Sequence, residues 1–304
     1  MFFRVRRQLN YWRFNSIVSS IYETPPLAIV DSPLRIVSML CPRDLTMYLL
    51  AAKVLYQRLG HGRFVVLPDR PMADSMLKAI QHHLSGAVEF IPLQSIPTGT
   101  CQRGGCWERL LACVDLSESH YVIQMDADTL ALGDLPELRD AVANNRAFAL
   151  AEGEPLVSFK EAATAVRDST EAHIVDAAQR ALGRYPGGEA MRYVRASAAF
   201  AGFPKAGATR AMVEEFHGEM EALLGPRWRE WGSEQVASNA VVANCNSPLM
   251  LPYPDYTSVG PGADFGRLRF GHFVGSDRFL GQRFAHAGAR LIRELLHPPQ
   301  KRAA

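Results

Sequence analysis

The stretch YVIQMDADTLALGDL, Tyr121 to Leu135, constrains the fold more than any other part of the chain. Tyr121 to Met125 is short, apolar and partly β-branched, and polar Ser-Glu-Ser-His precedes it. Such a run suits an interior strand of an α/β sheet better than a helix. It opens onto Asp126 and Asp128, spaced i, i+2, followed by Thr129, small residues and a Gly133-Asp134 turn. Ligands of open α/β sheets sit beyond the carboxyl ends of the strands, which is where these carboxylates fall. While the chain stays extended, its two-residue period points both to one side. That arrangement suits a hard divalent cation, Mg²⁺ or Mn²⁺. Turn formation accounts for one aspartate after a strand, but not for an apolar strand that runs into two.

The flanking pattern extends the same architecture. Arg35 to Leu40 reads as a first strand. Asp44 is placed to cap a helix whose stripe of Leu45, Leu49, Ala52, Leu55 and Leu59 stops at Gly60. Strands at Phe64 to Leu67 and Val88 to Ile91 alternate with helices from Pro71 to about Leu84 and from Trp107 to Leu116. Regular alternation of this kind predicts a layered, mostly parallel sheet. Beyond the aspartates, Pro136 to Asn144 reads as helix, Ala147 to Ala151 as extended, and Ser158 to Leu182 as one long helical region. Met191 to Phe203 reads as strand, Ala208 to Leu224 and Gly232 to Ala243 as helices, Arg267 to Phe273 as strand and Arg283 to Leu296 as a terminal helix.

The Tyr121–Leu135 segment resembles the Asp-x-Asp signature of nucleotide-sugar glycosyltransferases with the GT-A fold, where a hydrophobic strand, Asp-Ala-Asp-Thr, small residues and Gly-Asp-Leu recur. Phosphatases of the haloacid dehalogenase type also use Asp-x-Asp. They place Thr or Val where this chain has Leu130, and usually on the first strand. The GT-A resemblance implies an α/β, Rossmann-like layered sheet, mixed but mostly parallel and flanked by helices.

Two further segments fit the retaining families related to glycogenin and to bacterial galactosyltransferases. WGSEQVASN, from Trp231 to Asn239, matches their acid, Gln, three residues, Asn, which implies that Glu234 and Gln235 lie beside the sugar ring. Gln235 and Asn239, four apart on a helix, would face one ligand. A capping box with Ser233 as cap is the ordinary alternative. HFVGSDR, from His272 to Arg278, matches His-x-x-Gly-x-x-basic. The resemblance implies that His272 completes a Mn²⁺ (or Mg²⁺) site with Asp126 and Asp128, imidazole favouring Mn²⁺. It implies that Gly275 lets the backbone approach a diphosphate and that Arg278 neutralises it. The family has Lys, then Pro and an aromatic, where this chain reads Arg278-Phe279-Leu280. By the same resemblance Arg109 reaches the nucleotide-sugar, Glu152 contacts sugar hydroxyls and Asp69 meets the base or ribose. Their ordinary alternatives are a surface ion pair, a solvated carboxylate and a turn. The family's Asn-small-Gly strand is replaced by Ser197-Ala198-Ala199.

Composition narrows the class. With 304 residues and a formal net charge of +2, the chain gives no sign of a nucleic-acid module. It has no run of about 18 apolar residues for a membrane span. Five cysteines at irregular spacing argue against a disulfide framework and for a reducing, cytoplasmic setting. The start, MFFRVRRQLNYWRF, lacks the apolar core of a secretory signal. It reads either as an arm packed on its own domain or a partner, or as a membrane-surface segment.

The expected organisation is an N-terminal arm over 1–34, a GT-A domain over 35–282 with a helical lid or acceptor insertion at 153–190, and a basic helix and tail over 283–304. Arg283, Arg290, Arg293, Lys301 and Arg302 are compatible with peripheral docking at the inner face of an anionic membrane, or with a solvated face. The expected activity is hexosyl transfer from a nucleotide-sugar, UDP-sugar favoured, to a glycan or lipid-linked acceptor, with retention suggested. Two rivals stay open: a sugar-nucleotide nucleotidyltransferase, which should carry a glycine-rich basic loop where this chain has Cys41-Pro42-Arg43-Asp44, and a non-catalytic nucleotide-sugar binding module.

Overall fold

In the computed structural model, residues 2–260, 262–275 and 278–297 are described. Strands β1 (Leu34–Leu40), β2 (Arg63–Pro68), β3 (Val88–Phe90) and β4 (Tyr121–Met125) come early, and β5 (Thr129–Ala131), β6 (Phe148–Leu150) and β7 (Val157–Ser158) follow. The rest are β8 (Arg192–Tyr193), β9 (Ser197–Phe203), β10 (Leu249–Met250), β11 (Tyr256–Ser258) and β12 (Phe270–His272). The main sheet has seven strands in the order β10-β6-β9-β4-β1-β2-β3. β4 to β3 run parallel, and β9 lies antiparallel between β4 and β6. The sheet is therefore mixed and mostly parallel, as expected.

Alternation along each strand builds the two faces. Ile36, Phe64, Val66, Ile123 and Met125 enter one apolar cluster. Their neighbours Val37, Val65, Leu67 and Val122 enter the other. The first cluster takes α1 (Phe2–Val18), α2 (Leu45–Leu59), α3 (Asp74–His83), α5 (Pro136–Ala143) and α10 (Arg283–Leu296). The second takes α4 (Trp107–Ser117), α6 (Phe159–Ala165), α7 (Ile174–Ala181), α8 (Arg210–Leu224) and α9 (Ser233–Asn244). α2 is rich in Leu and Ala and ends at Gly60, whose φ of 84° lets its N–H close on the Tyr56 carbonyl.

Several sequence expectations differ from the fold. The N-terminal arm holds a helix, α1, whose Phe14 packs on Phe284 at 4.6 Å and Phe279 at 5.3 Å. The Ser158–Leu182 region is two helices. Arg180 donates to the carbonyls of Val166, Ser169 and Glu171, which ties down the turn between them. The Ser158–Glu161 capping box starts the first of them. The 191–203 strand is interrupted into β8 and β9, and the 267–273 strand shrinks to β12.

Candidate active site

Because β1, β2, β4 and β6 point the same way and β9 runs against them, the segments after Leu40, Pro68, Met125 and Leu150 meet the start of β9 at one edge. A cleft of about 640 Å³ opens there. Its lining includes every predicted site residue: Asp69, Arg109, Asp126, Asp128, Glu152, Glu234, Gln235, His272, Gly275 and Arg278.

Asp126 and Asp128 do not share a side because of an extended strand. The chain turns at Ala127 and Asp128, and the Thr129 hydroxyl holds the turn by donating to the Asp126 carbonyl at 2.8 Å. A second sheet, β11-β12-β5, supplies the histidine: β12 pairs antiparallel with β5, His272 opposite Thr129, and the Phe273 N–H donates to the Asp128 carbonyl at 2.8 Å. Ligand atoms of Asp126, Asp128 and His272 lie within 4.8 Å of one another. Two carboxylates and an imidazole converging this closely fit a divalent transition ion, with a small contraction onto the metal.

Two arginines balance these acids. Arg278 is ion-paired with Asp128 and donates to the Phe273 carbonyl at 3.1 Å. Arg109 is not on the surface: it is 4% exposed, ion-paired with Asp126, and 3.3 Å from both oxygens of Glu234. Burial disfavours its charge, but Asp126 and Glu234 more than compensate, and its pKa lies above the ordinary arginine value. Burial also raises the Asp126 carboxyl, with Arg109 opposing and nearby Asp128 adding to the rise. Burial pushes Glu234 up to about 7, against the pull of Arg109 and with a further push from Asp126.

Glu234 and Gln235 occupy the first turn of α9, and the helix start is pinned from behind. Ser233 does not cap the helix. Its hydroxyl accepts from Gln102 at 3.0 Å and from the Trp107 indole at 3.1 Å, and Gly232, at φ 108°, is the cap position. Among the described residues the Gln235 amide has no hydrogen-bond partner, so it is available to a ligand. Asn239 does not share that role: it is buried and donates to the Ala196 carbonyl at 2.9 Å, which steadies the entry to β9. Gly275 has φ 61° and open space where a Cβ would stand. Ser276 and Asp277 of the HFVGSDR motif lie outside the described residues. Asp69 pairs with Arg70 at 3.3 Å on the far wing of the cleft.

No protein-family model matches the chain, and no curated protein matches it. Among solved structures it is similar to an active-site mutant of LgtC, at 13% identity over 86% of this chain and 94% of that one, TM-score 0.48. It is also similar to galactosyltransferase LgtC with donor and acceptor sugar analogues, at 12% identity over 86% and 95% of the two chains, TM-score 0.45. The mannosyltransferase Ktr4p from S. cerevisiae matches at 12% identity over 81% and 78%, TM-score 0.43. Likenesses this distant carry no functional conclusion, so the chemistry is read from the cleft itself.

Sequence reasoning gave no site role to several lining residues, although it named Ser197 in a replaced family strand and Trp231 at the head of a motif. Asp44, expected as a helix cap, makes no capping bond. It lines the cleft, where burial raises its pKa and Arg43 partly offsets that rise. Ser197 and Ser258 approach His272, Arg195 pairs with Asp176 at 2.6 Å, and Trp231 stands 73% exposed at the rim. Only Trp231 carried a local signal, an indole immediately before the Gly232 cap.

Proposed function

We propose that the protein is a metal-dependent glycosyltransferase of the GT-A kind. It would move a sugar from a nucleotide-diphosphate-sugar, UDP-sugar favoured, to a hydroxyl of a glycan, lipid-linked or other acceptor. The observation that carries the reading is the convergence of the Asp126–Asp128–His272 tripod and the Glu234–Gln235 helix start in one cleft at the strands' carboxyl edge. Asp126, Asp128 and His272 would hold a divalent ion, Mn²⁺ favoured, which would supply Lewis-acid stabilisation of the departing diphosphate.

The chain's own residues would do the rest. Arg278 gives the diphosphate a fork of donors, and Gly275 lets the backbone come close. Asp69 would meet the base or ribose, and Arg109 opposes the burial-driven rise of the Asp126 carboxyl while anchoring Glu234. Gln235 and Glu234 would flank an oxocarbenium-like anomeric centre; the resemblance to retaining families favours front-face attack with retention, and an inverting route would use Glu234 as the base. The nucleotidyltransferase alternative wants a glycine-rich loop after β1, where a short 3-10 turn, Pro42–Asp44, stands instead.

The test is calorimetric titration of UDP and GDP with Mn²⁺ and with EDTA, on wild type and Asp128→Ala. Binding that needs both Mn²⁺ and Asp128 is expected, with UDP the tighter. Binding indifferent to both would remove the metal site from the reading, and sugar transfer or donor hydrolysis separates an enzyme from a binding module.

A further inference from the structure

Glu152, two residues beyond β6, has a left-handed φ of 56°, a conformation uncommon for a residue with a side chain. Its Oε1 accepts twice from one residue, Ser258: from the N–H at 3.3 Å and from the hydroxyl at 2.5 Å. Ser258 sits on β11 in register with His272 on β12. Its Oγ is 3.3 Å from His272 Nδ1, while His272 Nε2 is 3.6 Å from Asp128 Oδ1. The Ser197 oxygen also lies 3.3 Å from Nδ1 and accepts the Ala199 N–H at 3.4 Å.

Proton counting turns this chain of contacts into a device. A carboxylate only accepts, and a serine hydroxyl has one proton. Ser258 gives that proton to Glu152, so toward His272 it can only accept. Paired with Ser258, the neutral ring carries its proton on Nδ1 and its lone pair on Nε2, the nitrogen that faces Asp128. We propose that Glu152 and Ser258 are positioning residues that fix His272 in the Nδ1–H tautomer, and so hold Nε2 ready for a divalent cation. Outer partners of this kind orient ligating imidazoles. The inference rests on the metal reading above and gives Glu152 a task through one oxygen; its Oε2 stays without a partner among the described residues. Two groups compete: the Asp128 carboxylate, which without metal attracts a proton to Nε2, and Ser197. Were its hydroxyl to donate to Nδ1, the ring would be Nε2–H and closed to the metal.

The experiment is two-bond ¹H–¹⁵N NMR on metal-free protein labelled at histidine, with His272 assigned by its loss in His272→Asn, together with Mn²⁺ affinity by electron paramagnetic resonance. Wild type should show His272 as Nδ1–H. Glu152→Ala frees the Ser258 proton, and Ser258→Ala removes the acceptor. Both should shift His272 toward Nε2–H and weaken Mn²⁺ about 10- to 100-fold. Glu152→Gln keeps an acceptor oxygen at Oε1 and should retain both the tautomer and the affinity, which a purely charge-based role for Glu152 would not allow. An Nε2–H ring in wild type, or an unchanged tautomer in both alanine variants, overturns the proposal. If Mn²⁺ binds no better to wild type than to His272→Asn, the metal reading fails separately, and the tautomer still decides the relay.

Discussion

Replacing Glu234 with Gln should stabilise the protein at the expense of its chemistry, with a pH signature that follows from the site. The native carboxyl is held at about 7 instead of 4.5, chiefly by burial, which Arg109 only partly offsets. The folded state thus binds this proton more tightly than the unfolded state. Its stabilising effect is complete below 4.5 and is lost as pH rises through about 7. A displacement of this size is worth about 3 kcal/mol between the two protonation states. Gln fits the same space and does not titrate. By the same linkage, Glu234→Gln and wild type should differ by less than about 1 kcal/mol at pH 5, and the variant should lead by about 3 kcal/mol at pH 8. That lead corresponds to roughly 5 °C in Tm for a domain of this size. Urea unfolding at the two pH values, in EDTA so that bound metal adds nothing to the native state, measures the gap, while transfer activity should fall in the same variant. A gap that is the same at both pH values would refute the reasoning.

Other outcomes follow from the same geometry. Arg278→Ala should weaken UDP binding in Mn²⁺ roughly 10- to 100-fold, the worth of hydrogen bonds to a charged group; calorimetry giving unchanged affinity would remove it from the donor site. Lys53 is buried against Thr24, Pro25 and His83, and burial pulls it down to about 8. The unfolded chain then binds more protons between that value and 10.5, so stability rises with pH across the window. Lys53→Met should flatten that rise in thermal scans at pH 8 and pH 10, and an equally steep rise in both proteins would contradict it. A Cβ at Gly202 would meet Phe148 at 2.2 Å and the Tyr121 hydroxyl at 2.7 Å. Gly202→Ala should therefore cost about 1–3 kcal/mol in denaturant unfolding, and a neutral result would show that Phe148 can rotate away. If α10 docks on anionic membrane, vesicle binding should fall with added salt and with Arg290→Glu; salt-independent or absent binding removes the idea.

The sheet was legible because interior strands write their burial into short apolar runs, and Tyr121–Met125 is buried at every position. Helix α2 was equally plain, from its Leu and Ala content to the Gly60 stop. Residues whose role depends on another strand's register were not legible. Ser258 matters because β11 sets it opposite His272, and Ser197 because β9 begins at the same edge; neither has a local pattern. Asp44 and Ser233 look like helix caps in sequence, since a cap and a cleft-facing or back-bonded side chain share one composition. The two-residue spacing of Asp126 and Asp128 predicted a shared side from strand pleating, whereas a turn held by Thr129 produces it. α1 was missed because, among its described side chains, the buried ones, Phe14 and Val18, fall in its last turns beside exposed Trp12 and Arg13.

The packing of α1 on α10 reaches further than the hydrophobic cluster it completes. Phe279 follows Arg278 directly and is clasped by Tyr11 and Phe14 from one helix and approached by Phe284 from the other. The guanidinium assigned to the diphosphate is therefore moored to aromatic rings nearly the whole length of the polypeptide away. Trimming residues 1–18 should therefore act at a distance on the proposed donor site, loosening Arg278 while leaving every cleft-lining residue in the chain.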